Sequence, residues 1–323
     1  MSTPYRILVA DSIALDGLQP LSEDARFELV MRPGLSPDDL AAAIADADAV
    51  LVRSATKITR ASLARADRLK AIGRAGVGVD TIDVDAATER GIPVLTAPAG
   101  NSISAAELTM ALLLAVARKV PAADRSMKAG EWDRKSFSGF ELYGKTLGLV
   151  GAGRIGGQVA KRARAFGMHV IVYDPWLDRE RARELDVQLA DLPDVIATAD
   201  VLSVHVPLTD ATRNLIGAAE LARMKKGALL LNVARGGVVN EAALVDALRS
   251  GHLSGAALDV YEQEPLPKES PLRGLPNVVM TPHLGASTAE AQQNVAIEIA
   301  EAVRDALLHG DRSKAVNAAA LAR

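Results

Sequence analysis

The stretch Gly144–Gly156, which reads GKTLGLVGAGRIG, decides the fold of this chain. It joins an apolar run to the pattern G-x-G-x-x-G, with glycines at positions 151, 153 and 156. A helical segment, Gln158–Phe166, follows, and a second apolar run ends at Asp174, 18 residues after the third glycine. In this context the glycines permit a tight turn, close approach of a diphosphate and close helix–strand packing. The segment therefore predicts a dinucleotide-binding βαβ unit.

The acid that ends the second apolar run selects between dinucleotides. Asp174 can accept hydrogen bonds from both ribose hydroxyls, and its charge would repel a 2′-phosphate. The free N–H groups at the start of the intervening helix would bind the diphosphate. The sequence therefore predicts NAD rather than NADP as the cofactor. The alternative is a strand–turn–helix with a purely structural role.

Apolar, β-branched runs alternate with helical patterns on both sides of this segment. Runs that are apolar on both faces predict parallel strands covered by helices. The runs are Arg6–Ala10, Phe27–Met31, Ala49–Val52, Leu69–Ile72 and Val94–Thr96 before residue 100, and Leu147–Val150, Val170–Tyr173, Val201–Val206, Ala228–Val233, Ala256–Val260 and Val278–Thr281 after residue 145. Both halves are therefore predicted to be α/β, and the six strands of the second suffice for a doubly wound sheet.

Three helix starts support this organisation. Ser36 followed by Pro37 predicts a capped helix. Ser104 with Glu107 predicts a capping box that opens a helix to about Val120, and Ser287 with Glu290 predicts another that opens a helix ending near Gly310. This last helix could close the second domain or cross back to the first, and the pattern alone leaves both open.

Composition limits the function. The 323 residues suggest two domains, and the net charge of −3 with 3% aromatic residues argues against a nucleic-acid partner. Without cysteine there is no disulfide framework and no thiolate ligand, and we expect no metal site. The longest apolar run, Met110–Ala117, is too short to span a membrane, and Met1–Ala10 lacks the apolar core of a signal peptide. A cytoplasmic protein without membrane partners is the simplest expectation.

Three ionisable residues follow three strands of the second half. Arg235, Glu264 and His283 lie just past the runs that end at Val233, Val260 and Thr281. Ligands of doubly wound sheets bind beyond the carboxyl ends of the strands. An imidazole can take the hydroxyl proton of a 2-hydroxy acid, a neighbouring carboxylate can orient it, and a guanidinium can grip the substrate carboxylate. We therefore predict a catalytic triad, although each residue alone would be an ordinary surface group.

The other histidines are less informative. His205 also follows a strand and is expected to border the cofactor. His169, His252 and His309 are interpreted as residues without a catalytic role.

With these motifs the chain resembles the D-isomer-specific 2-hydroxyacid dehydrogenases, from Val52-Arg53-Ser54-Ala55-Thr56 to Ala315-Val316-Asn317. The resemblance implies that Arg235, Glu264 and His283 are catalytic and that Asp259 faces the nicotinamide carboxamide. Where the family commonly has leucine in the glycine loop, this chain has Ala152. The implied cofactor-binding set is Gly151, Gly153, Arg154, Ile155, Gly156, Asp174, His205, Pro207, Ala234, Asp259 and Gly285.

The resemblance also implies the domain organisation. The last helix would cross back, so that residues 1–98 and 288–323 form a discontinuous, flavodoxin-like substrate-binding domain. Residues 99–287 would form a Rossmann NAD-binding domain, with a cleft between the two. The region from Ser104 to Tyr143 would pack across a twofold axis, which predicts a homodimer.

Within the family the chain is most similar to members that oxidise D-3-phosphoglycerate to 3-phosphohydroxypyruvate, the first step of serine biosynthesis. The residues implied to bind this small-molecule substrate are Arg53, Ser54, Gly76, Val77, Asn101 and Arg134. Arg134 would act in its own site or in that of a partner subunit. Phe140 departs from the small polar residue that is frequent there, which puts the local pocket or interface in question. Because the chain ends at Arg323, no feedback inhibition through a serine-binding domain is expected.

Two alternatives stay open at this point. A glyoxylate or hydroxypyruvate reductase would share the triad and the cofactor site without needing the phosphate-binding arginines. An NAD-sensing corepressor would reuse the fold to bind peptides, with negligible turnover.

Overall fold

The computed structural model describes residues 3–322, which form two compact units. The first unit takes the described residues up to Asn101 and those from Ser287 onward, and the second is Ser102–Ala286. Among residues 3–322, no helix combines the length and the apolar character that crossing a membrane requires.

The first unit is built on a parallel sheet with the strand order β2-β1-β3-β4-β5, the flavodoxin-like order. Its strands are β1 (Tyr5–Val9), β2 (Phe27–Met31), β3 (Ala49–Val52), β4 (Ala71–Arg74) and β5 (Val94–Thr96). Its helices are α1 (Gln19–Ser22), α2 (Pro37–Ala45), α3 (Arg60–Leu63), α4 (Val84–Glu89), α12 (Ala289–His309) and α13 (Ala318–Leu321), with a 3₁₀ helix at Leu15–Leu18.

Side chains alternate between the two faces of this sheet. Ile7 of β1 belongs to the core that includes Ile299 and Val303 of α12. Its neighbour Leu8 belongs to the opposite core, which includes Ile44 of α2. The last long helix therefore packs on the first sheet, although it follows the last strand of the second.

The second unit is built on a parallel sheet with the order β12-β11-β10-β9-β6-β7-β8. Its strands are β6 (Thr146–Val150), β7 (His169–Tyr173), β8 (Gln188–Leu189), β9 (Val201–Val204), β10 (Leu229–Asn232), β11 (Gly255–Leu258) and β12 (Val278–Met280). Its helices are α5 (Ser102–Ala117), α6 (Val120–Lys128), α7 (Arg154–Ala165), α8 (Arg179–Glu184), α9 (Leu192–Thr198), α10 (Ala218–Arg223) and α11 (Glu241–Arg249), with a 3₁₀ helix at Pro271–Gly274. The prediction of an α/β fold with two doubly wound parallel sheets is confirmed.

The sequence interpretation was wrong about several details. Among the described residues the second sheet has seven strands rather than six, because β8 is only two residues long and leaves no apolar run. The predicted helix from Ser104 to Val120 is two helices: α5 already begins at Ser102, and Lys119, at φ 52°, separates it from α6.

Smaller shifts occur at other element ends. β4 begins at Ala71 rather than Leu69. The cap of α12 is Thr288, whose side chain accepts the N–H of Ala291, so the predicted Ser287 capping box is off by one residue. The Ser36 cap of α2 and the end of α12 at Gly310 are confirmed.

Candidate active site

The glycine loop between β6 and α7 gives each glycine a different environment. Gly151 has a φ of 94°, and a Cβ there would lie 2.8 Å from the carbonyl oxygen of His205. A Cβ on Gly156 would lie 2.2 Å from the carbonyl oxygen of Gly151, so this position also excludes a side chain. A Cβ on Gly153, by contrast, would meet no atom of residues 3–322 within 4 Å. The loop is therefore packed behind its first and third glycines and open at the second, which suits a diphosphate approaching the N-terminus of α7.

Asp174 follows β7 and is bonded to the glycine loop. Its Oδ2 accepts the N–H of Ala152 at 2.8 Å, and its Oδ1 accepts the N–H of Trp176 at 2.9 Å. Each carboxylate oxygen keeps a further lone pair for a ribose hydroxyl. Loop and acid together fit the adenosine and diphosphate parts of NAD.

His283 and Glu264 are in direct contact. Nδ1 of His283 lies 2.7 Å from Oε2 of Glu264, and the side chains keep 47% and 37% of their surface exposed. Oε1 of Glu264 accepts the N–H of Tyr261 at 3.1 Å. Burial raises the pKa of Glu264, but the hydrogen bond and charge of His283 outweigh it, so that the net pKa lies below its usual value. Glu264 is therefore ionised near neutral pH and holds one imidazole nitrogen.

Asp259, which is 1% exposed, organises the loop that carries His283. Its Oδ1 accepts the hydroxyl of Thr281 at 2.6 Å and the N–H of Leu284 at 2.7 Å, and its Oδ2 accepts the N–H of Gly285 at 2.9 Å. His283 itself has a φ of 56°, which a β-carbon makes unfavourable. The surrounding hydrogen bonds hold this conformation in place.

Arg235 follows β10 in a tightly packed turn. The buried Asn232 accepts the N–H of Ala234 at 3.1 Å and donates to the carbonyl of Arg235 at 2.9 Å. A Cβ on Gly236 would lie 1.7 Å from the carbonyl oxygen of Tyr261, so this turn packs directly on the segment that leads to Glu264. The structure thus brings the backbone segments that carry the three predicted catalytic residues together at the carboxyl ends of the strands of the second sheet.

His205 is more enclosed than its sequence suggested. Its Nε2 lies 2.9 Å from Oγ of Ser203, and its buried Nδ1 has no hydrogen-bond partner among the described residues. Burial lowers its pKa to about 4, so the imidazole is neutral at physiological pH. His205 therefore supports the glycine loop from behind as an uncharged side chain.

The remaining predicted cofactor residues lie around the same edge. Arg154 and Pro207 are exposed, Ile155 and Ala234 are half-buried, and Gly285 is buried. Gly285 lies against Asp259 rather than in open space, since a Cβ there would be 3.5 Å from Oδ2.

The predicted substrate residues are divided between the units. Arg134 lies in the second unit and is exposed. Arg53, Ser54, Gly76, Val77 and Asn101 lie in the first unit, after β3, β4 and β5. Arg53 and Ser54 line a groove of about 850 Å³ within that unit. The buried Oδ1 of Asn101 has no hydrogen-bond partner among residues 3–322.

Sequence reasoning missed Asp11, which is 4% exposed and holds the loop after β3. Its Oδ2 accepts the N–H groups of Arg53 and Thr56, and its Oδ1 accepts the hydroxyl of Thr56 at 2.6 Å. An acid directly after an apolar strand was the available signal. Tyr261 was missed as well; its hydroxyl donates to the carbonyl of Thr281 at 2.9 Å, and burial, with the charges of Asp259 and Glu264, raises its pKa to about 12.

The chain is similar to a known protein family and to several known proteins. Residues 110–285 match the family described as D-isomer specific 2-hydroxyacid dehydrogenase, NAD binding domain. D-3-phosphoglycerate dehydrogenase of Methanocaldococcus jannaschii is 52% identical over 303 residues, which is 94% of this chain and 57% of that protein. The chain thus spans somewhat more than half the length of this curated relative.

Two solved structures are similar over nearly their whole length. The TT0316 protein of Thermus thermophilus is 39% identical, with a TM-score of 0.87 over 96% of this chain and 99% of that one. A glyoxylate reductase of Paecilomyes thermophila is 31% identical, with a TM-score of 0.88 over 98% of this chain and 99% of that one.

Proposed function

The chain belongs to the D-isomer specific 2-hydroxyacid dehydrogenase family, and from this premise we propose that it oxidises D-3-phosphoglycerate with NAD. The product would be 3-phosphohydroxypyruvate, as in the first step of serine biosynthesis. The identity of 52% to a D-3-phosphoglycerate dehydrogenase supports the choice of substrate. The observation that carries the chemistry is the 2.7 Å contact between His283 and Glu264 at the carboxyl edge of the second sheet.

The residues divide the chemistry between them. When bound at the glycine loop, NAD would supply the acceptor for the hydride that leaves C2 of the substrate. Because Glu264 occupies Nδ1 of His283, Nε2 is the nitrogen that takes the hydroxyl proton. The carboxylate of Glu264 stabilises the imidazolium that results. Arg235 holds the substrate carboxylate through paired N–H donors and polarises the developing carbonyl.

We assign substrate contacts to six further residues. Their shared feature is a cationic, hydroxyl, amide or backbone donor that suits an anionic substrate. Of these, Arg53 and Arg134 are the cations that suit a phosphate. The backbone of Arg53 is held by Asp11, and its guanidinium donates to the carbonyl of Ser12 at 3.1 Å. The six residues are Arg53, Ser54, Gly76, Val77, Asn101 and Arg134.

NADH formation from a panel of D-hydroxy acids tests this function. Purified protein with NAD at mildly alkaline pH should oxidise D-3-phosphoglycerate in preference to D-glycerate and D-lactate. Arg53→Ala should remove most of this preference, because it deletes a phosphate donor. Arg60→Ala is the matched control, since Arg60 is an exposed arginine of the same unit paired with Glu89. Turnover of D-glycerate alone, unchanged by Arg53→Ala, would exclude the phosphorylated substrate.

A glyoxylate or hydroxypyruvate reductase is the second candidate. The TM-score of 0.88 to a glyoxylate reductase favours it, since the backbone of such an enzyme is as similar as that of any neighbour described above. It predicts NADH-dependent reduction of glyoxylate or hydroxypyruvate and indifference to Arg53→Ala. The same panel, run in the reducing direction, separates the two candidates.

The homodimer is proposed from exposed apolar side chains between the long α5 helix and β6. Val120, Met127 and Tyr143 keep 53%, 53% and 78% of their surface exposed. A second copy of the chain would cover them and would be the protein partner. Light scattering should give twice the mass of 33.9 kDa, and a monomeric mass would exclude this arrangement.

An enzyme that draws on the cellular NAD pool would work in the cytoplasm.

A further inference from the structure

Glu241, the first residue of α11, is bonded to the loop that carries Glu264, and the proposed chemistry leaves it unused. The N–H of Glu262 donates to Oε1 of Glu241, and the N–H of Glu241 donates to Oε1 of Glu262 at 2.9 Å. Two hydrogen bonds therefore join segments that lie 21 residues apart in the sequence. Glu262 also satisfies one of the free N–H groups in the first turn of α11.

The helix α11 gives this contact a fixed attachment. Leu244 and Leu248 of the helix belong to the buried core that also contains Tyr261. The side chain of Asn240 caps the helix directly before Glu241. The carboxylate of Glu241 is thus presented from a packed and capped helix end, which limits its movement.

The loop after Tyr261 depends on such an attachment. Tyr261 is buried, and its hydroxyl donates to the carbonyl of Thr281 at 2.9 Å, but the four residues that follow it are exposed. Packing therefore gives these four residues little support. Because Glu264 comes only two residues after Glu262, the 2.7 Å contact between its carboxylate and Nδ1 of His283 depends on where the backbone of Glu262 is held.

The charges in this cluster oppose one another. Burial, followed by the charges of Glu262 and Glu264, raises the pKa of Glu241, although the hydrogen bond from the N–H of Glu262 acts in the other direction. The negative charge of Glu241 is therefore unfavourable here, and what the side chain contributes is a hydrogen-bond acceptor. A glutamine at this position could accept the same N–H without the charge.

We propose that Glu241 is a positioning residue: it holds the backbone of Glu262, so that the carboxylate of Glu264 stays on Nδ1 of His283. The inference rests on the proposed acid–base role of the His283–Glu264 pair. An ionised carboxylate only accepts hydrogen bonds, so Glu264 keeps the proton of the neutral imidazole on Nδ1 and leaves Nε2 free as the base.

Nitrogen NMR of the imidazole rings tests this positioning without any turnover. The chain has five histidines, and the signals of His283 are those that His283→Ala removes. At a pH where the imidazole is neutral, the parent and Glu241→Gln should carry the proton on Nδ1, whereas Glu241→Ala should carry part of it on Nε2. Asp246→Ala is the matched control, because Asp246 is an exposed acid of the same helix.

Steady-state rates test the same contact in catalysis. Glu241→Ala should lower kcat about tenfold with little change in KM, because it disturbs proton transfer rather than substrate binding. Glu241→Gln should restore most of kcat, and Asp246→Ala should keep the parental value. In a Glu264→Gln background, Glu241→Ala should cause no further loss, since the two residues act through one contact.

The outcomes separate this inference from the function on which it rests. If Glu241→Ala leaves the proton on Nδ1, the positioning role is refuted. It is also refuted if Glu241→Gln behaves like Glu241→Ala, or if the loss of kcat persists in the Glu264→Gln background. If the proton moves to Nε2 as expected but the parent oxidises no hydroxy acid, the positioning role stands and the proposed function fails.

Discussion

The two sheets are alike at the side where their strands begin, here called the amino edge. They are unlike at the side where their strands end, the carboxyl edge. Asp48, just before β3, accepts the N–H of Arg6 at 2.9 Å and pairs with Lys70 at 3.2 Å. Asp200, just before β9, accepts the N–H of Thr146 at 2.8 Å and pairs with Lys225 at 3.0 Å. Burial raises the pKa of both acids, but their hydrogen bonds and lysines outweigh it, so both pKa values are lowered overall. Each unit thus ties two of its central strands together through one carboxylate, which is buried for Asp48 and partly exposed for Asp200.

The carboxyl edges carry different devices. After β1, Asp11 holds the loop of Arg53, whereas after β6 a glycine loop leaves Gly153 open to a ligand. The second edge also carries the His283–Glu264 pair. A carboxylate that accepts a backbone N–H and pairs with a lysine can thus stabilise either sheet at its amino edge. The loops at the carboxyl edge, by contrast, decide what the sheet binds. Substitutions at the two edges should therefore have separable effects.

The largest effect is expected from the histidines at opposite edges of the second sheet. His283→Ala should lower kcat by about 10²- to 10⁴-fold, because it removes the general base. His169→Ala should leave kcat unchanged, since His169 is exposed at the amino end of β7. Steady-state rates of NADH formation check the pair. Equal losses in both variants would contradict the assignment of chemistry to the carboxyl edge.

Glu264→Gln should have the next largest effect. The lowered pKa of Glu264 means that its carboxylate is ionised at neutral pH, where it would stabilise the imidazolium formed in the reaction. The neutral amide should therefore lower kcat by about 10- to 100-fold at neutral pH, and by less as pH falls through the lowered pKa of Glu264, because the parent then loses its carboxylate as well. Steady-state rates of both proteins at several pH values measure this ratio. Glu290→Gln, at an exposed acid in the first turn of α12, is the control. A ratio of kcat values that is the same at every pH would show that the charge of Glu264 is not the cause.

Asp48→Asn tests the stabilising role of the carboxylate at the amino edge of the first sheet. Because the folded-state pKa of Asp48 is lowered, its ionised form contributes stability that is present at neutral pH and is lost as pH falls through the folded-state pKa. The variant should lower the free energy of unfolding by about 1–3 kcal/mol at neutral pH, and by less under acidic conditions. Urea unfolding at several pH values measures this. A deficit that is the same at every pH would show that the charge of Asp48 is not the cause.

The smallest effect is expected when Asp174 is replaced, and it concerns the affinity for NAD. Asp174→Ala removes the ribose acceptor and the contact with the N–H of Ala152, and should raise the Kd for NAD about tenfold. It should also narrow the discrimination against NADP, because the repelling charge is gone. Asp191→Ala is the matched control, since Asp191 is exposed and its side chain makes no capping hydrogen bond. Calorimetric titrations with NAD and with NADP measure both dissociation constants.

Much of this arrangement could be read from the sequence, for reasons that particular elements show. Ala49–Val52 has its predicted bounds because a buried parallel strand is an uninterrupted apolar run. Glu264 and His283 were predicted to lie close together because residues that follow neighbouring parallel strands meet at one edge of a sheet.

Other features follow from contacts distant in sequence. The break at Lys119 and the short β8 leave no periodic signal. The three donors that converge on Asp259 come from a segment more than twenty residues away. The burial of Nδ1 of His205 depends on packing behind the glycine loop. Patterns along a chain predict elements and edges, but the hydrogen bonds that position a catalytic loop depend on the tertiary structure.

The most direct test of the account compares two substitutions in the second sheet, one at each edge. Asp200→Asn and His283→Ala would each be measured for urea unfolding and for kcat/KM with D-3-phosphoglycerate and NAD. The account predicts that Asp200→Asn lowers the unfolding midpoint and keeps kcat/KM, while His283→Ala keeps the midpoint and loses nearly all activity. If stability and activity fall together in both variants, the separation of a stabilising edge from a catalytic edge is contradicted.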